Sequence, residues 1–446
     1  MLISETTRST CIPCKRGGYK VKYFGTDGIR GIFGDTLTDE LAFKVGKALG
    51  EIVGEGKVLI GKDTRVSGDS LEAALSAGLT SMGVDVLSCG ILSTPAVALL
   101  TRITRSYGVV ISASHNPPEY NGIKILKSGY KIPNELEEKI ERKIEGEFQK
   151  RYVVGKIRPF REGKDMYIGA VLEMFKDLDL SGKSVSLDLA NGATTTTVKD
   201  VFEFLGADLE IFNSSQDGLL INQGCGATHP KFLAEEMKKG RIGFTFDGDG
   251  DRVMVIDEER NVVNGDKIIG ILAEGMMREG RLENAVVVGT VMTNGGLEEY
   301  LKKKGAKLLR TKVGDKYVLE EMLSSKANLG GERSGHIIIL DRSTTGDGLI
   351  TALELMRTIE KLGKTLLELA KEIPDLPQVT KNVRRTEKTS LEHEGLRRLI
   401  EKYNAEGYRI IVRPSGTEPV IRITVEGRDR DRVEEIAEVL SRTLEG

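Results

Sequence analysis

VVISASHNPPEY, residues 109–120, begins as a buried strand and ends as something else. Val109, Val110 and Ile111 make a short apolar run rich in β-branched side chains, which suits a strand covered on both faces. The run stops in Ser112-Ala113-Ser114-His115-Asn116 and is then stiffened by Pro117 and Pro118. A plain turn takes Gly, Pro, Asn or Asp and has no need of a serine beside a histidine. A hydroxyl held rigidly for chemistry is the sharper reading of Ser114. Similar runs recur as KVLIG (57–61), VSLDL (185–189), GFTF (243–246), AVVVGTV (285–291) and HIIIL (336–340), several leaving through polar or glycine-rich exits such as ANGAT, DGDGD and MTNGG. Between them lie stretches with apolar residues at helical spacing, including ELAFKVGKALGEIVGEG (40–56) and DSLEAALSAGLTSMG (69–83). This alternation predicts α/β layers with parallel sheets, whose ligands bind outside the carboxyl ends of the strands.

The 446 residues hold three or four such units. A tail is expected over 1–21, then domains at 22–152, 153–257, 258–371 and 372–446. The charge-rich stretch 134–151 is expected to be a solvated helix closing the first, and KEIPDLPQ (371–378), with Pro374 and Pro377, a linker before the last. That last unit ends in an amphipathic helix over 430–444. Lys and Arg number 65 against 67 Asp and Glu, which gives no basic excess for a nucleic-acid partner. No apolar run reaches the roughly 18 residues of a membrane span, and a cytoplasmic setting is expected. Cys11 and Cys14 form a lone CxxC, while Cys89 and Cys225 stand apart, so no second pair completes a zinc site.

In GFTFDGDGDRVMVID (243–257), Asp247, Asp249 and Asp251 alternate with glycines directly after an apolar run. Three carboxylates so close repel one another unless a cation sits among them. An EF-hand would need glycine where Arg252 stands, so the reading is a hard-cation site for Mg²⁺ with room for phosphate oxygen. RPSGTEPVIRI (413–423) sets Ser415, Gly416 and Thr417 in a turn between Arg413 and Arg422, a combination suited to a phosphate dianion. GGERSGH (330–336) brings Glu332 and Ser334 for sugar hydroxyls and His336 for phosphate binding or proton transfer. The GxSxG elbow of a serine hydrolase is missing around Ser114, and His115, its neighbour, is badly placed to deprotonate it. Beside a cation loop and a phosphate clamp, Ser114 reads better as a phosphoryl carrier.

YFGTDGIRG (23–31), ISASHNP (111–117), DGDGDR (247–252), GGERSGH (330–336) and RPSGTEP (413–419) together resemble the signature set of the α-D-phosphohexomutases. RTKVGDKYVLEEM (310–322), STTGDG (343–348) and INQGCGATH (221–229) resemble the branch of that family acting on amino-sugar phosphates. The resemblance covers about residues 22–446 and implies a heart-shaped, four-domain fold, three α/β domains and a smaller fourth around a central cleft. It implies a phosphorylated Ser114, Mg²⁺ held by that phosphate and the three aspartates, and Arg252, Glu332, Ser334 and His336 on the substrate. It assigns Arg413, Ser415, Gly416, Thr417 and Arg422 to the phosphate not being transferred. Lys124, His115 and Arg30 become candidates for proton transfer and charge stabilisation near Ser114. The implied reaction interconverts the 6- and 1-phosphates of glucosamine through a 1,6-bisphosphate, with mannose or glucose phosphates as the alternative substrates. The implied partner is thus a small sugar phosphate, and the chain has room for a homodimer interface. Arg333 stands where an uncharged residue is more usual, and Lys316 where arginine is expected.

Overall fold

The computed structural model describes residues 15–16, 19–20, 22–25, 27–149, 151–384, 394–414 and 420–445. Within the expected tail, Lys15–Arg16 pairs antiparallel with Tyr19–Lys20. Cys11 and Cys14, like Ser415, Gly416 and Thr417, lie outside the described residues. The chain divides into two compact units, one comprising Lys22–Thr293 and Tyr300–Ile373, the other Met1–Val21, Asn294–Glu299 and Pro374–Gly446.

The larger unit holds three sheets built to one plan. In the first, the central order is Asp85–Ile91, Lys57–Lys62, Tyr107–Ile111, Tyr120–Lys127. In the second it is Asp208–Phe212, Ser184–Asp188, Ile242–Phe246, Val253–Ile256, and in the third Lys307–Thr311, Val286–Thr290, Leu329–Gly331, Ile337–Ile339. Each therefore runs second, first, third, fourth. The first three strands are parallel and the fourth returns antiparallel. The expectation of parallel sheets is corrected to mixed ones. The reason is loop length: 112–119, 247–252 and 332–336 are too short for a parallel crossover, which takes a dozen residues or more. Those three loops carry SASHN, DGDGD and ERSGH.

The first sheet also takes in Ile157–Pro159 as an edge strand, paired parallel with Asp85–Ile91, and the second ends at Val262–Val263. Both sheets thus reach past the boundaries expected at 152 and 257. Short edge strands leave little mark in a sequence: all three residues of Ile157–Pro159 are exposed and carry no burial pattern. The charge-rich helix is shorter than expected, Asn134–Ile144, because Ile144 is its last buried residue and Gly146 follows, a poor helix former.

Val109, Val110 and Ile111 are fully buried, each contributing roughly 1.5–3 kcal/mol of transfer free energy to the core. Helix Asp39–Val53 starts at Thr38, whose side chain accepts from the Leu41 amide, and buries Leu41, Ala42, Val45, Ala48 and Leu49 along one stripe. It packs on helix Gly68–Ser81 through Gly46 and Gly78; a methyl group on Gly46 would stand 2.3 Å from the Leu75 carbonyl.

The smaller unit contains an antiparallel sheet ordered Gln378–Arg384, Val420–Glu426, Arg409–Pro414. Its core is Val383, Ile421, Ile423 and Val425 against Val433, Ile436, Ala437 and Leu440 of helix Arg430–Glu445. No described helix is long and apolar enough to cross a membrane.

Candidate active site

Ser114 is 1% exposed and sits at φ 53°, in the left-handed region that costs a non-glycine residue roughly 1 kcal/mol. Such a conformation persists only when its surroundings over-determine it. Here Arg65, itself buried, does most of that. Its guanidinium donates to the carbonyls of Ser114 (3.0 Å), Asn116 (2.7 Å) and Tyr120 (2.8 Å), and to that of Pro117. Its Nε donates to Asp63 at 2.9 Å. Asp63 in turn accepts from the Ser112 hydroxyl at 2.6 Å, and Ser112 Oγ accepts from the Ser114 amide at 2.8 Å. Asn222 adds further donations to the Ser114 and Asn116 carbonyls, at 2.9 and 3.1 Å. The serine loop is held from both sides.

Its hydroxyl donates to Asp247 Oδ2 at 2.6 Å. The DGDGD loop comes so close to the serine loop that a side chain on Gly248 would meet the Ser114 carbonyl at 2.6 Å. Neighbouring segments fix that loop: the Thr94 amide donates to the Asp249 carbonyl (2.9 Å), the Gly348 amide to that of Gly250 (3.0 Å) and the Val253 amide to that of Gly335 (3.1 Å). Asp247, Asp249 and Asp251 are all buried and offer ligand atoms within 4.8 Å of one another. Burial, then Asp251 and Asp249, push the Asp247 carboxyl well above its ordinary range. Burial also opposes ionisation of Asp249, but Lys124 at 2.7 Å and the Thr94 hydroxyl at 2.5 Å more than offset it, and its pKa falls. Asp249 Oδ1 and Asp251 Oδ1 are buried with no hydrogen-bond donor. Anionic oxygens converging without donors fit a hard divalent cation.

Lys124, also fully buried, lies 2.7 Å from Asp249, 3.4 Å from Asp251 and 3.1 Å from Asp27. Burial lowers its pKa, yet these three carboxylates carry it well above the usual value, so it is a fixed cation. His115 Nδ1 is 3.3 Å from Ser114 Oγ. Burial, then Arg252 and Arg30, bring the imidazole down to about 3, so at neutral pH it supplies no positive charge. Arg30 pairs with Asp27. Arg252 Nε lies 3.9 Å from Asp251, and its backbone bridges to that of His336, which joins the second and third sheets at the site. His336 Nε2 is 4.0 Å from Asp251 and 3.5 Å from Asp315. Glu332 is half-buried and accepts from the Gly314 amide at 3.0 Å, while Ser334 is exposed. Arg333 turns to Asp266 at 3.0 Å, and Lys316 donates to Asn134 at 2.5 Å. In the smaller unit Arg413 and Arg422 are register partners on adjacent strands.

Arg65, Asn222, Thr94, Asp27 and Asp315 were not singled out by the sequence reading. Asp27, Asn222 and Asp315 fall inside motifs quoted for resemblance. Arg65 lies in GKDTRVSG (61–68), another polar exit from a buried strand, which was the available signal.

Comparison with known proteins matches residues 21–151 to the description phosphoglucomutase/phosphomannomutase, alpha/beta/alpha domain I. Residues 264–376 match domain III and 374–442 the C-terminal domain of the same family. The chain is 87% identical to a phosphoglucosamine mutase of Thermotoga neapolitana over 96% of its own length and 100% of the relative's. The chain belongs to the phosphoglucomutase/phosphomannomutase family. Another phosphoglucosamine mutase, from Thermotoga maritima, is 77% identical over the same shares. As a phosphohexomutase the chain is an isomerase, and the buried aspartate triad fits the divalent metal of such an enzyme. Among solved structures, a family protein of Burkholderia thailandensis superposes with TM-score 0.77 at 24% identity, covering 94% of this chain and 96% of that one. An Aspergillus fumigatus N-acetylphosphoglucosamine mutase, in complex with GlcNAc-6P and magnesium, gives 0.69 at 17% identity, covering 91% and 96%.

Proposed function

We propose that this phosphohexomutase interconverts glucosamine 6-phosphate and glucosamine 1-phosphate through a phosphorylated Ser114. The observation that carries the reading is the buried Ser114 hydroxyl 2.6 Å from Asp247, one of three buried carboxylates whose oxygens lie within 4.8 Å of one another. Identity of 77–87% to phosphoglucosamine mutases supports glucosamine as the sugar. Asp247, Asp249, Asp251 and the phosphate on Ser114 are the proposed Mg²⁺ ligands; the ion would draw off negative charge as the phosphoryl group leaves. Lys124 supplies a fixed positive charge on the same side.

In the forward reaction the O1 hydroxyl of glucosamine 6-phosphate attacks phospho-Ser114. The P–Oγ bond breaks as the P–O1 bond forms, the proton given up by O1 ends on Ser114 Oγ, and the serine is left as a free hydroxyl. The 1,6-bisphosphate then reverses, Ser114 Oγ attacks the 6-phosphoryl group, and glucosamine 1-phosphate leaves. The Ser114 proton ends on O6 as the P–O6 bond breaks, and neutral His115, at 3.3 Å from the serine oxygen, is proposed to orient that oxygen in this second transfer. Arg413, Ser415, Gly416, Thr417 and Arg422 are proposed to hold the spectator phosphate, and Arg252, Glu332, Ser334 and His336 the sugar phosphate. Free sugar phosphates also suit a cytoplasmic setting. Turnover of glucosamine, glucose and mannose 6-phosphates by purified enzyme tests the reading. Higher kcat/KM for glucosamine 6-phosphate is expected; preference for either hexose overturns the glucosamine assignment.

A further inference from the structure

Lys131 belongs to none of the motifs above, yet only 14% of its side chain is exposed. Its ammonium pairs with Asp27 on one side and Asp315 on the other. The second oxygen of Asp27 lies 3.1 Å from Lys124 Nζ, and the same oxygen of Asp315 that meets Lys131 lies 3.5 Å from His336 Nε2. Lys124 is 3.4 Å from Asp251, and His336 is 4.0 Å from it. Asp251, Lys124, Asp27, Lys131, Asp315 and His336 therefore close a ring in which carboxylates alternate with basic side chains. Lys131 is the member opposite Asp251. It is also backed by rigid structure: Lys131 is the register partner of Leu126, on the strand that carries Lys124.

We propose that Lys131 is a positioning residue for phosphoryl transfer, fixing Asp27 against Lys124 and Asp315 against His336. It reaches no reacting atom itself. Its two arms end on basic groups that approach Asp251 from different sheets, Lys124 from the first and His336 from the third. Without the ammonium, Asp27 and Asp315 become two half-buried like charges facing each other, Asp27 keeping Arg30 and Lys124, and their repulsion drives both arms out of register. Burial alone would lower the Lys131 pKa, but Asp27 and Asp315 hold it up at about 12, so the tie persists at every working pH. Groups displaced by even about an ångström cost transition-state stabilisation far more than they cost ground-state binding.

This inference rests on the mutase reading, and wild-type turnover in the same assay checks that reading separately. K131M and K131R of the full chain would be compared with wild type on glucosamine 6-phosphate at saturating Mg²⁺. K131M should lose at least about tenfold in kcat with KM within about threefold, and K131R should recover most of the loss. If the two like charges prevent K131M from folding, K131M/D315N removes the repulsion; with a wild-type melting temperature it should still turn over slowly. A kcat within twofold of wild type in a folded K131M or K131M/D315N overturns the proposal and leaves Lys131 a structural staple. Wild-type enzyme inactive on glucosamine 6-phosphate but active on glucose 6-phosphate would overturn the sugar assignment alone, and the Lys131 comparison would then be made on glucose 6-phosphate.

Discussion

The serine loop, 112–119, and the loop 332–336 are both returns from a parallel strand to an antiparallel one, yet they are held in opposite ways. In the first, the ties come from far along the chain: Arg65 and Asn222 grip its carbonyls. The second is held by backbone bonds: the Glu332 amide donates to the His336 carbonyl at 2.9 Å and the Gly335 amide to that of Glu332 at 3.0 Å, while the Gly265 and Val253 amides donate to the Arg333 and Gly335 carbonyls at 3.0 and 3.1 Å. Ser114 is buried in a left-handed conformation, whereas Ser334 is exposed. A loop that must present one oxygen to a phosphoryl group needs external restraint to keep a strained geometry. A loop proposed to meet a sugar from solvent needs a stable turn, which backbone bonds supply without strain at its serine.

Removing the atom the first loop exists to present gives the largest effect. S114A should abolish turnover with the fold intact. Intact-protein mass spectrometry should lose the adduct of about 80 Da expected for one phosphoserine. Wild-type turnover by S114A would end the phosphoserine mechanism. D249N comes next, because it weakens the proposed cation site and leaves Lys124 short of a partner 2.7 Å away. The Mg²⁺ concentration for half-maximal rate should rise at least about tenfold, since even outer partners of metal ligands are worth that much. An unchanged Mg²⁺ titration would remove Asp249 from the proposed cation site.

The comparison itself is tested by R65M against R333A. R65M leaves four loop carbonyls without their guanidinium donor, and kcat should fall about a hundredfold. R65K should not rescue it, because an ammonium cannot reproduce the planar fork. R333A breaks the tie to Asp266 on a loop already held by backbone bonds, so KM should rise only about threefold with kcat nearly kept. Equal losses of kcat in the two variants would erase the distinction between the loops.

Much of this was legible in the letters, for reasons that differ by residue. The apolar runs at 57–61, 109–112, 185–189 and 243–246 lie within two residues of the strands, because full burial leaves an unbroken hydrophobic signal. Leu329–Gly331 was not read as a strand, since two of its three residues are glycine and nothing in their composition marks a β-run. GGERSGH was consequently read for its side chains alone, and its place as the turn between two strands was missed. In the site, Ser114 and the three aspartates announce themselves because their chemistry is local: a hydroxyl at a strand exit, carboxylates too close to coexist. Arg65, Asn222 and Lys131 act through partners 49 to 184 residues away, and spacing carries no trace of that.

The two sides of the site also differ in their expected response to pH. On the serine-loop side, R65M removes a donor and leaves the buried Asp63 carboxylate without its guanidinium partner. On the third-sheet side, Asp347 starts helix Gly348–Leu362 by accepting from the Ile350 amide at 3.0 Å, and it also accepts from the Tyr167 hydroxyl at 2.9 Å. Burial raises this carboxyl from 3.8 to about 6 despite those donors. The folded state therefore binds more protons than the unfolded chain between about pH 4 and pH 6, and stability contributed by Asp347 falls as pH rises through that window. A shift of about 2 units corresponds to about 3 kcal/mol, fully lost above the folded pKa. D347N keeps an acceptor oxygen for the Ile350 amide and removes the buried charge. Its melting temperature should match wild type near pH 4 and exceed it at pH 8. R65M should instead melt below wild type at both pH values. If the D347N difference is the same at pH 4 and pH 8, Asp347 does not titrate in the folded enzyme, and pH does not separate the two sides of the site.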